Sequence, residues 1–557
     1  MATYATPGVY VQEISTLPPS VADVATAIPA FIGYTQLGPA VSASPTVKRV
    51  ATMLEFETAF GGPQLMHFNI TEPADAAGPL KVDRVEPTSA FCLYYALSHY
   101  FKNGGGPCYV VSVGDYTSTP SKAQFSAGLD ALKKEDEPTL IVLTDAAVLL
   151  DATNYYSLCS DALTQCNDLG DRFTILDVQG GDWGKFRTGG PSANLMYGAA
   201  YHPYLQTSIA YKYVDQDVNI SGASAGGGNV SGAKTVGDNG ISISFSGPSG
   251  SAPRFSATYG TKTGTVSFSV SDGELTLTNI NSKIGTAIVT AWEAWKQTNQ
   301  TQAAGFDIKA VGDGSGVVAT EAISATDIPV ASVPGSSTSV ALNSIKGTKT
   351  ALYNKAKTAL DSQYIVLPPS AAMAGIYARV DREQGVWKAP ANVGVLGVLG
   401  PVTKITNEEQ GRLNIDATAG KSINAIRDFT GKGTLVWGSR TLAGNDNEWR
   451  YVSVRRLFIN IEESTKKASA FAVFEPNDQS TWLKVKAMIE SYLYGLWEQG
   501  ALAGSKPEAA YYVHVGLGTT MTPQDVLEGR MIVEIGIAAV RPAEFIVLRF
   551  SHKMQTA

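Results

Sequence analysis

Side chains that commonly bind metals or act as nucleophiles are spread thinly along this chain. No two histidines lie four residues apart, and none stands beside an acidic or thiol group that would complete a ligand set: they are His67, His99, His202, His514 and His552. The four cysteines form no CxxC pair and therefore predict reduced, partly buried thiols: Cys92, Cys108, Cys159 and Cys166. We expect no metal site.

Three short motifs resemble catalytic or nucleotide-binding patterns without meeting their requirements. GASAG at 222–226 matches a nucleophile elbow, but it lies in a glycine- and serine-rich tract instead of between a strand and a helix. GKGT at 431–434 lacks the first P-loop glycine, replaced by Ile426, and Gly433 replaces the magnesium-binding Ser or Thr, so a turn before a strand is expected. RVDRE at 379–383 alternates charges, which favours a solvated face or an interface network over acid–base catalysis. We predict no catalytic residue and no cofactor.

Length and composition indicate a folded protein of several domains. A chain of 557 residues exceeds the size at which a single core keeps growing, and two to four domains are expected. Hydrophobic residues make up 44% and charged residues 17%, which excludes a disordered chain. The net charge of −7, with no basic run, argues against nucleic acid as a partner. No stretch has the roughly 20 apolar residues of a membrane span.

Short apolar strands alternate with amphipathic helices between residues 45 and 178. This alternation is typical of a parallel sheet covered on both faces, because a parallel connection needs a crossover helix. The helices are expected at 51–60, 89–105, 124–135 and 153–170, and the strands at 108–113, 139–145 and 173–178. We predict an α/β domain here.

The composition changes sharply near residue 215. Between Gly222 and Gly335 lie 18 of the 55 glycines, with many Ser, Thr and Asn residues. Period-two runs within this segment predict one small antiparallel sheet, followed by a helix at 282–300; the strands are expected at 241–247, 253–260, 265–273 and 274–279. The segments on either side have the pattern of one continuous domain that this part interrupts, which favours an inserted domain on the outer surface. A disordered linker is the alternative.

The last third of the chain mixes helices and strands, and both ends carry a short apolar run. The longest amphipathic helix is expected at 482–502, with strands at 511–515 and 530–540. Val9–Ile14 and Phe545–Phe550 each predict a terminal strand. Such a strand has no sequence-local partner, so it docks on its own sheet or adds to the edge of a neighbour's sheet.

Five stretches together resemble one protein family, the contractile tail sheath proteins of bacteriophages and bacterial contractile injection systems. They follow in the order and spacing of that family: TPGVYVQEISTLPPSVADVATAIPAFIGYT at 6–34, LPPSAAMAGIYARVDREQGVWKAPAN at 367–392, LVWGSRTL at 435–442, AFAVFEPND at 470–478 and RPAEFIVLRF at 541–550. The resemblance covers both ends and most of the second half of the chain. It implies a structural protein and not an enzyme.

The residues and the resemblance together predict a multidomain fold with α/β and α+β parts. We expect an α/β sheath domain, a mostly antiparallel insertion domain, and an inner α+β domain completed by terminal strands exchanged between subunits. The boundaries are an N-terminal arm and linker at 1–30, then domains at 31–214, 215–350 and 351–540, and a C-terminal arm at 541–557.

Two sets of residues follow as candidate contacts between proteins. The resemblance implies that the terminal arms pair with neighbouring subunits through Val9, Tyr10, Val11, Gln12, Glu13 and Ile14 and through Phe545, Ile546, Val547, Leu548, Arg549 and Phe550. Because the C-terminal domain of sheaths lies innermost, we also expect polar contacts with an inner tube, for which the candidates are Lys466, Lys467, Lys484 and Lys486.

The resemblance implies that the chain polymerises helically around an inner tube, in six-membered rings, and contracts to drive the tube through a target envelope. The implied partners are other copies of the chain, the tube protein, and baseplate and cap proteins. Because the first residues lack a signal-peptide pattern, assembly in the bacterial cytoplasm is expected, followed by residence in a virion, a released particle or a membrane-anchored apparatus. A surface-layer or adhesin-like protein and an α/β enzyme are the alternatives.

Overall fold

The structure is a computed structural model that describes residues 21–40, 43–73, 78–221, 229–248, 251–303, 305–332 and 339–549. The first part of the chain alternates strands and helices: β1 (Pro29–Gly33), β2 (Thr46–Val50), α1 (Met53–Phe60), β3 (His67–Thr71), β4 (Lys81–Val85), α2 (Leu93–Lys102), β5 (Cys108–Ser112), α3 (Lys122–Leu132), β6 (Leu140–Val142), α4 (Thr144–Leu149), α5 (Ala152–Leu169), β7 (Phe173–Asp177), α6 (Trp183–Gly189), β8 (Gly198–His202) and β9 (Leu205–Ala210).

The middle part consists mainly of strands: β10 (Val218–Ser221), β11 (Asn229–Val236), β12 (Ile241–Pro248), β13 (Arg254–Ala257), β14 (Ser267–Ser271), β15 (Glu274–Thr278), α7 (Gly285–Thr298), α8 (Gln300–Ala303), β16 (Phe306–Ala310), β17 (Ile323–Asp327), β18 (Val330–Ser332), β19 (Val340–Ala341) and α9 (Thr350–Asp361).

The last part carries the long helices: β20 (Tyr364–Leu367), α10 (Ser370–Gln384), β21 (Val393–Gly394), β22 (Val398–Pro401), α11 (Asn407–Asn414), β23 (Ile423–Phe429), β24 (Gly433–Val436), α12 (Val452–Ala468), α13 (Gln479–Glu498), α14 (Pro507–Ala510), β25 (Tyr511–Val515), α15 (Pro523–Leu527) and β26 (Val533–Ile537).

A nine-stranded sheet forms the centre of the α/β body, in the order β2-β5-β1-β6-β7-β8-β23-β24-β21. The six strands from β5 to β23 run parallel, and antiparallel strands stand at both edges. Strands such as Pro29–Gly33 and Phe173–Asp177 are buried at every position, because helices cover both faces. The predicted alternation of helices and strands between residues 45 and 178 is confirmed.

The predicted boundary between an α/β domain at 31–214 and a separate domain starting at 351 is wrong in one respect. β23 pairs in parallel with β8, with Ile423 opposite Ala200, so the nine-stranded sheet takes strands from both predicted domains. One compact unit accordingly comprises the described residues up to Met66, Glu86–Lys212 and the described residues from Asp361 onward. Strand order depends on packing between segments far apart in sequence, which local periodicity does not encode.

The second compact unit comprises His67–Val85 and Tyr213–Leu360. It contains three four-stranded sheets, where the sequence predicted one small antiparallel sheet: β19-β10-β3-β4, β16-β12-β11-β18 and β14-β15-β13-β17. The last two share a core around Trp292, which is fully buried and stacks on Trp295 with ring centroids 5.2 Å apart. Most pairs are antiparallel, as expected, but β13 pairs with β15 and β10 pairs with β3 in parallel.

The helices α12 and α13 build a further core within the first unit. Asp478 caps α13, because its carboxylate accepts the N–H of Thr481 (3.0 Å) and so satisfies a free donor of the first turn. Buried Leu457 of α12 and Leu493 of α13 belong to this core, together with Val513 of β25. The predicted helix at 482–502 begins and ends three to four residues earlier in the structure.

Candidate assembly surfaces

β25 and β26 form a two-stranded antiparallel sheet, which we call the C-terminal ribbon. Val513 lies opposite Ile535, and both side chains pack into the core built by α12 and α13. On the outer face the Tyr512 ring covers Gly536, which leaves no room for a Cβ at that position, and the Tyr512 hydroxyl donates to Glu534 Oε1 (3.0 Å). The ribbon is therefore held to the helices by one face only.

The ribbon's outer edges lack a strand partner within the described part of the chain. The Ala538 amide donates to the Ala510 carbonyl (2.8 Å), which fixes the alternation of the ladder between the two strands. Because of this alternation, every second residue of each strand points its N–H and C=O groups away from the other strand. These residues are Tyr511, Val513 and Val515 on β25, and Val533, Ile535 and Ile537 on β26. The segment 501–503 covers only the far end, where the Ala503 amide donates to the Ala538 carbonyl (2.7 Å).

The described part of the C-terminal arm, residues 541–549, is mostly exposed chain without strand structure. Its four consecutive apolar side chains are 69 to 80% exposed: Phe545, Ile546, Val547 and Leu548. Arg549 is exposed as well, whereas Phe550 and the N-terminal arm residues 9–14 lie outside the described residues. Four adjacent apolar side chains facing water are costly to leave uncovered. The arm therefore has the composition of a buried strand without its partner.

The base of this arm is fixed by Glu544. The Arg440 guanidinium donates to both carboxylate oxygens, from Nε at 2.9 and 3.2 Å and from Nη2 at 2.7 Å. Asn414 Nδ2 donates to Oε1 (2.7 Å) and the Tyr451 hydroxyl donates to Oε2 (3.1 Å). Burial opposes ionisation of Glu544, but the hydrogen bonds from Arg440 and Asn414 outweigh it and lower the pKa. Sequence reasoning missed this cluster, because 104 residues separate Arg440 from Glu544.

The predicted N-terminal linker is bound to its own subunit over its last residues. The Val24 amide donates to Ser464 Oγ (3.2 Å), and Asn460 Nδ2 donates to the Val24 carbonyl (3.1 Å). Arg456 Nη2 donates to the Thr26 carbonyl (2.7 Å), so α12 holds the linker at both Val24 and Thr26. The linker is therefore fixed to its own subunit at these two residues.

The four lysines considered for tube contact have different surroundings. Lys467 bridges to Asp136 (2.7 Å) and also meets Glu463, as does Lys466. Lys486 lies 3.7 Å from Glu490. Lys484 is exposed and has no ion pair among the residues that the structure describes. Of the four, Lys484 is the lysine with a free charge.

The charged motif at 379–383 is neither a solvated face nor an interface network at its centre. Arg456 donates to both oxygens of Asp381, at 3.0 and 2.5 Å, and the two side chains are only 3% and 5% exposed. Arg379 donates to the Gly394 carbonyl (2.7 Å). The motif therefore joins α10 to α12 inside the body, and that prediction is wrong. A buried pair of this kind is costly to break from either side.

Two buried carboxyl groups lie where β6 and β7 end. Asp145 accepts the amides of Tyr34 (2.9 Å) and Cys92 (2.8 Å). Asp177 accepts the amide and the hydroxyl of Ser370, at 2.8 and 2.5 Å. Burial raises the pKa of Asp145 to about 6 and that of Asp177 to about 7. These groups connect the strands to α2 and α10.

The other sequence motifs have ordinary structural roles. GKGT forms the turn between β23 and β24, as predicted, and GASAG lies outside the described residues. Burial lowers the pKa of His99 to about 4, and its Nε2 lies 3.0 Å from the Leu396 carbonyl. The described part of the chain contains no group of three His, Cys, Asp or Glu residues suited to a metal, and all four cysteines are buried and unpaired. None of its helices is long and apolar enough to cross a membrane.

The fold of this chain is similar to that of contractile sheath proteins of known structure. The chain is 28% identical to the helical sheath of the anti-feeding prophage in its contracted state, with a TM-score of 0.55, covering 99% of this chain and 100% of the other. A chain of the six-fold symmetrised anti-feeding prophage baseplate is 27% identical, with the same TM-score and coverage.

Sequence relatives agree with the structural likeness. The family model for the phage tail sheath protein central domain matches residues 286–442, and the model for the phage tail sheath C-terminal domain matches residues 444–553. A tail sheath protein of Vibrio phage KVP40 is 25% identical over 185 residues, or 33% of this chain. The match spans only 26% of the length of that relative. Together these matches support a contractile tail sheath protein, which is a structural protein and not an enzyme.

Proposed function

We propose that this protein is the subunit of a contractile sheath, which polymerises helically around an inner tube and contracts to drive the tube through a target envelope. The likeness to the contracted sheath of the anti-feeding prophage supports contraction. The likeness to a chain of its six-fold symmetrised baseplate supports six-membered rings and contact with baseplate proteins. Tube and cap proteins are the further partners, and assembly takes place in the bacterial cytoplasm.

The observation that carries the proposal is the match between an open ribbon and an apolar arm on one chain. A two-stranded ribbon is marginally stable in water, and added strands would complete its ladders. An arm that leaves one subunit for the ribbon of the next makes a heterologous contact, which generates rings or open helices. The exposed apolar residues 545–548 are then buried only in the polymer.

Strand exchange also accounts for how a sheath shortens without separating into subunits. Main-chain hydrogen bonds between arm and ribbon persist while the subunit bodies rotate. Contraction needs no nucleotide if the extended state is a kinetic trap above the contracted one. A few kcal/mol per subunit suffice, the ordinary scale of a shift between two conformations, because many subunits move together.

Lys484 is the residue that we propose for contact with the tube, with Lys466, Lys467 and Lys486 in supporting positions. Its charge is exposed and unpaired in the described part of the chain. A contact that must release during contraction suits exposed charges, because exposed ion pairs contribute little free energy each.

The experiment is electron microscopy of the purified protein, in which striated tubes are expected. Val547→Pro removes a backbone donor from the arm and should abolish the tubes. Because Val547 is 75% exposed, the monomer should unfold at the wild-type temperature. Val547→Thr keeps the amide and the preference for extended backbone, and this control should still form tubes.

Tubes of normal length from Val547→Pro would contradict the strand-exchange proposal. Flat lattices of the wild-type protein would favour a surface-layer role, and single particles at every concentration would contradict self-assembly. Val11→Pro tests the N-terminal arm in the same way, with Val11→Thr as its control.

A further inference from the structure

The side chain of Glu544 and the side chains that follow it have different surroundings. The Glu544 side chain is 22% exposed and accepts hydrogen bonds from three other side chains. The next residue, Phe545, is 69% exposed, and the three after it are more exposed still. The held part of the chain therefore ends at Glu544 and the free part begins at Phe545.

The groups that hold Glu544 are themselves fixed in place. Asn424 accepts the Arg440 amide (2.7 Å) and donates to the Arg440 carbonyl (2.8 Å), which ties that residue to β23. Arg440 Nη1 also donates to the Asn414 carbonyl (3.2 Å), and the Arg440 side chain is only 5% exposed. Tyr451 is the residue from which α12 begins. The site is preorganised, and its fork of guanidinium donors suits a carboxylate.

We infer that Arg440, Asn414 and Tyr451 form a carboxylate-binding site that anchors the C-terminal arm to its own subunit at Glu544, so that the exchanged strand starts at Phe545. This inference rests on the proposed function, and the partner of the free segment is a second copy of this chain. The anchor keeps the free segment short and sets its direction. A carboxylate is suited to this role because it stays charged, and bound, at neutral pH.

The anchor also limits where the accepting ribbon can lie. Residues 545–549 in extended conformation span at most about 18 Å, at 3.3 to 3.6 Å per residue. For these residues to pair, the neighbour's open edge must begin within that distance of Glu544 in the polymer. Without the anchor, the reach of the arm grows toward Val540, the last residue whose amide is bonded to the 501–503 segment.

Glu544→Gln and Glu544→Ala test the anchor. Removing a charge-assisted pair should speed amide exchange at Ala538 and Val540 by about tenfold or more, since hydrogen bonds to charged groups are worth more than one factor of ten. Tube yield should fall in the same variants, more for Ala than for Gln. Glu321→Gln makes the same change of charge at an exposed residue with no ion pair among the described residues, and should change neither measurement.

The outcomes separate the anchor from strand exchange itself. If Val547→Pro forms no tubes while Glu544→Ala forms normal tubes with wild-type exchange at Val540, the anchor is wrong and strand exchange stands. If Glu544→Ala assembles faster than the wild type, Glu544 restrains the arm instead of presenting it, which also overturns the inference. If Val547→Pro forms tubes, the proposed function fails whatever Glu544 does. Thermal melts show whether a loss of tubes comes from unfolding, and Glu544→Gln is the milder variant should Ala not fold.

Discussion

The nine-stranded sheet and the C-terminal ribbon lie in the same compact unit, yet their strands are covered to different extents. The sheet ends in antiparallel strands on both sides, and its central strands β1, β6, β7 and β8 are buried at every position. The ribbon has two strands, one covered face, and two outer edges with no strand partner among the described residues. Long unpaired edges are a liability for a monomer. Their retention here indicates that the body provides stability and the ribbon provides sites for assembly.

The largest expected effect comes from making one substitution in both regions. Phe31 is fully buried, with its ring 5.1 Å from that of Tyr100, and Phe31→Ala should lower the free energy of unfolding by about 3–5 kcal/mol. Phe545→Ala in the exposed arm should change it by less than about 0.5 kcal/mol, while reducing tube formation. Chemical denaturation of the monomer measures both. Equal losses of unfolding free energy in the two variants would contradict the proposal that the body provides stability and the arm does not.

The body should also show a pH dependence that the ribbon does not share. The pKa of Asp177 is raised to about 7 and that of Asp145 to about 6, so the folded state binds protons more tightly than the unfolded chain. The stabilisation that this provides is complete near pH 4 and is lost as the pH rises through 6 and 7. The melting temperature should therefore fall between about pH 4 and 7, and less steeply in Asp177→Asn.

Asp525→Asn is the control for this pH dependence. Hydrogen bonds from Thr522 lower the pKa of Asp525 to about 2, so this carboxyl stays ionised across the same range. The variant should leave the slope between pH 4 and 7 unchanged. A wild-type slope in Asp177→Asn would show that Asp177 does not hold a proton in the folded state.

A smaller effect is expected from Lys484→Glu. If the lysine contacts the tube, charge reversal should lower the ratio of extended to contracted particles, by up to about fivefold for a contact of 1 kcal/mol. Counting particles in electron micrographs gives the ratio, and Lys262→Glu, another exposed lysine, is the matched control. Lys467→Glu is a poorer test because it also breaks the bridge to Asp136. Equal ratios in Lys484→Glu and Lys262→Glu would remove Lys484 from the tube contact.

The smallest effect on tube formation is expected from the largest change to the chain, which is the deletion of residues 222–339. The core around Trp292 lies entirely within 230–330, and β10 pairs with β19 so that Ile220 stands opposite Val340. A short glycine turn can therefore join the two ends without strain. Tubes should still form, because neither the ribbon nor the arm loses a residue. Soluble protein that remains monomeric would place the inserted domain in the assembly contacts.

Much of this structure follows from local patterns in the sequence. Apolar strands alternating with amphipathic helices predict the parallel sheet between residues 45 and 178, and the apolar run at 545–550 predicts a segment that needs a partner. The first of these is confirmed, because periodicity and burial act within a few residues, and the second stays a prediction. The sequence alone also shows that the three catalytic or nucleotide-binding motifs are incomplete, since such motifs require fixed residue types at fixed spacing.

Contacts between distant segments were decided only by the tertiary structure. Nothing near Ile423 indicates that β23 joins β8, and no spacing connects Arg440 with Glu544 or Asp381 with Arg456. The sequence pattern does not distinguish a charged side chain exposed to solvent from one that is buried against a partner. The sequence by itself determined which segments are strands, helices and apolar arms. The fold decided which of them meet, because strand order and buried charge pairing depend on desolvation and fit between surfaces that exist only once the chain is packed.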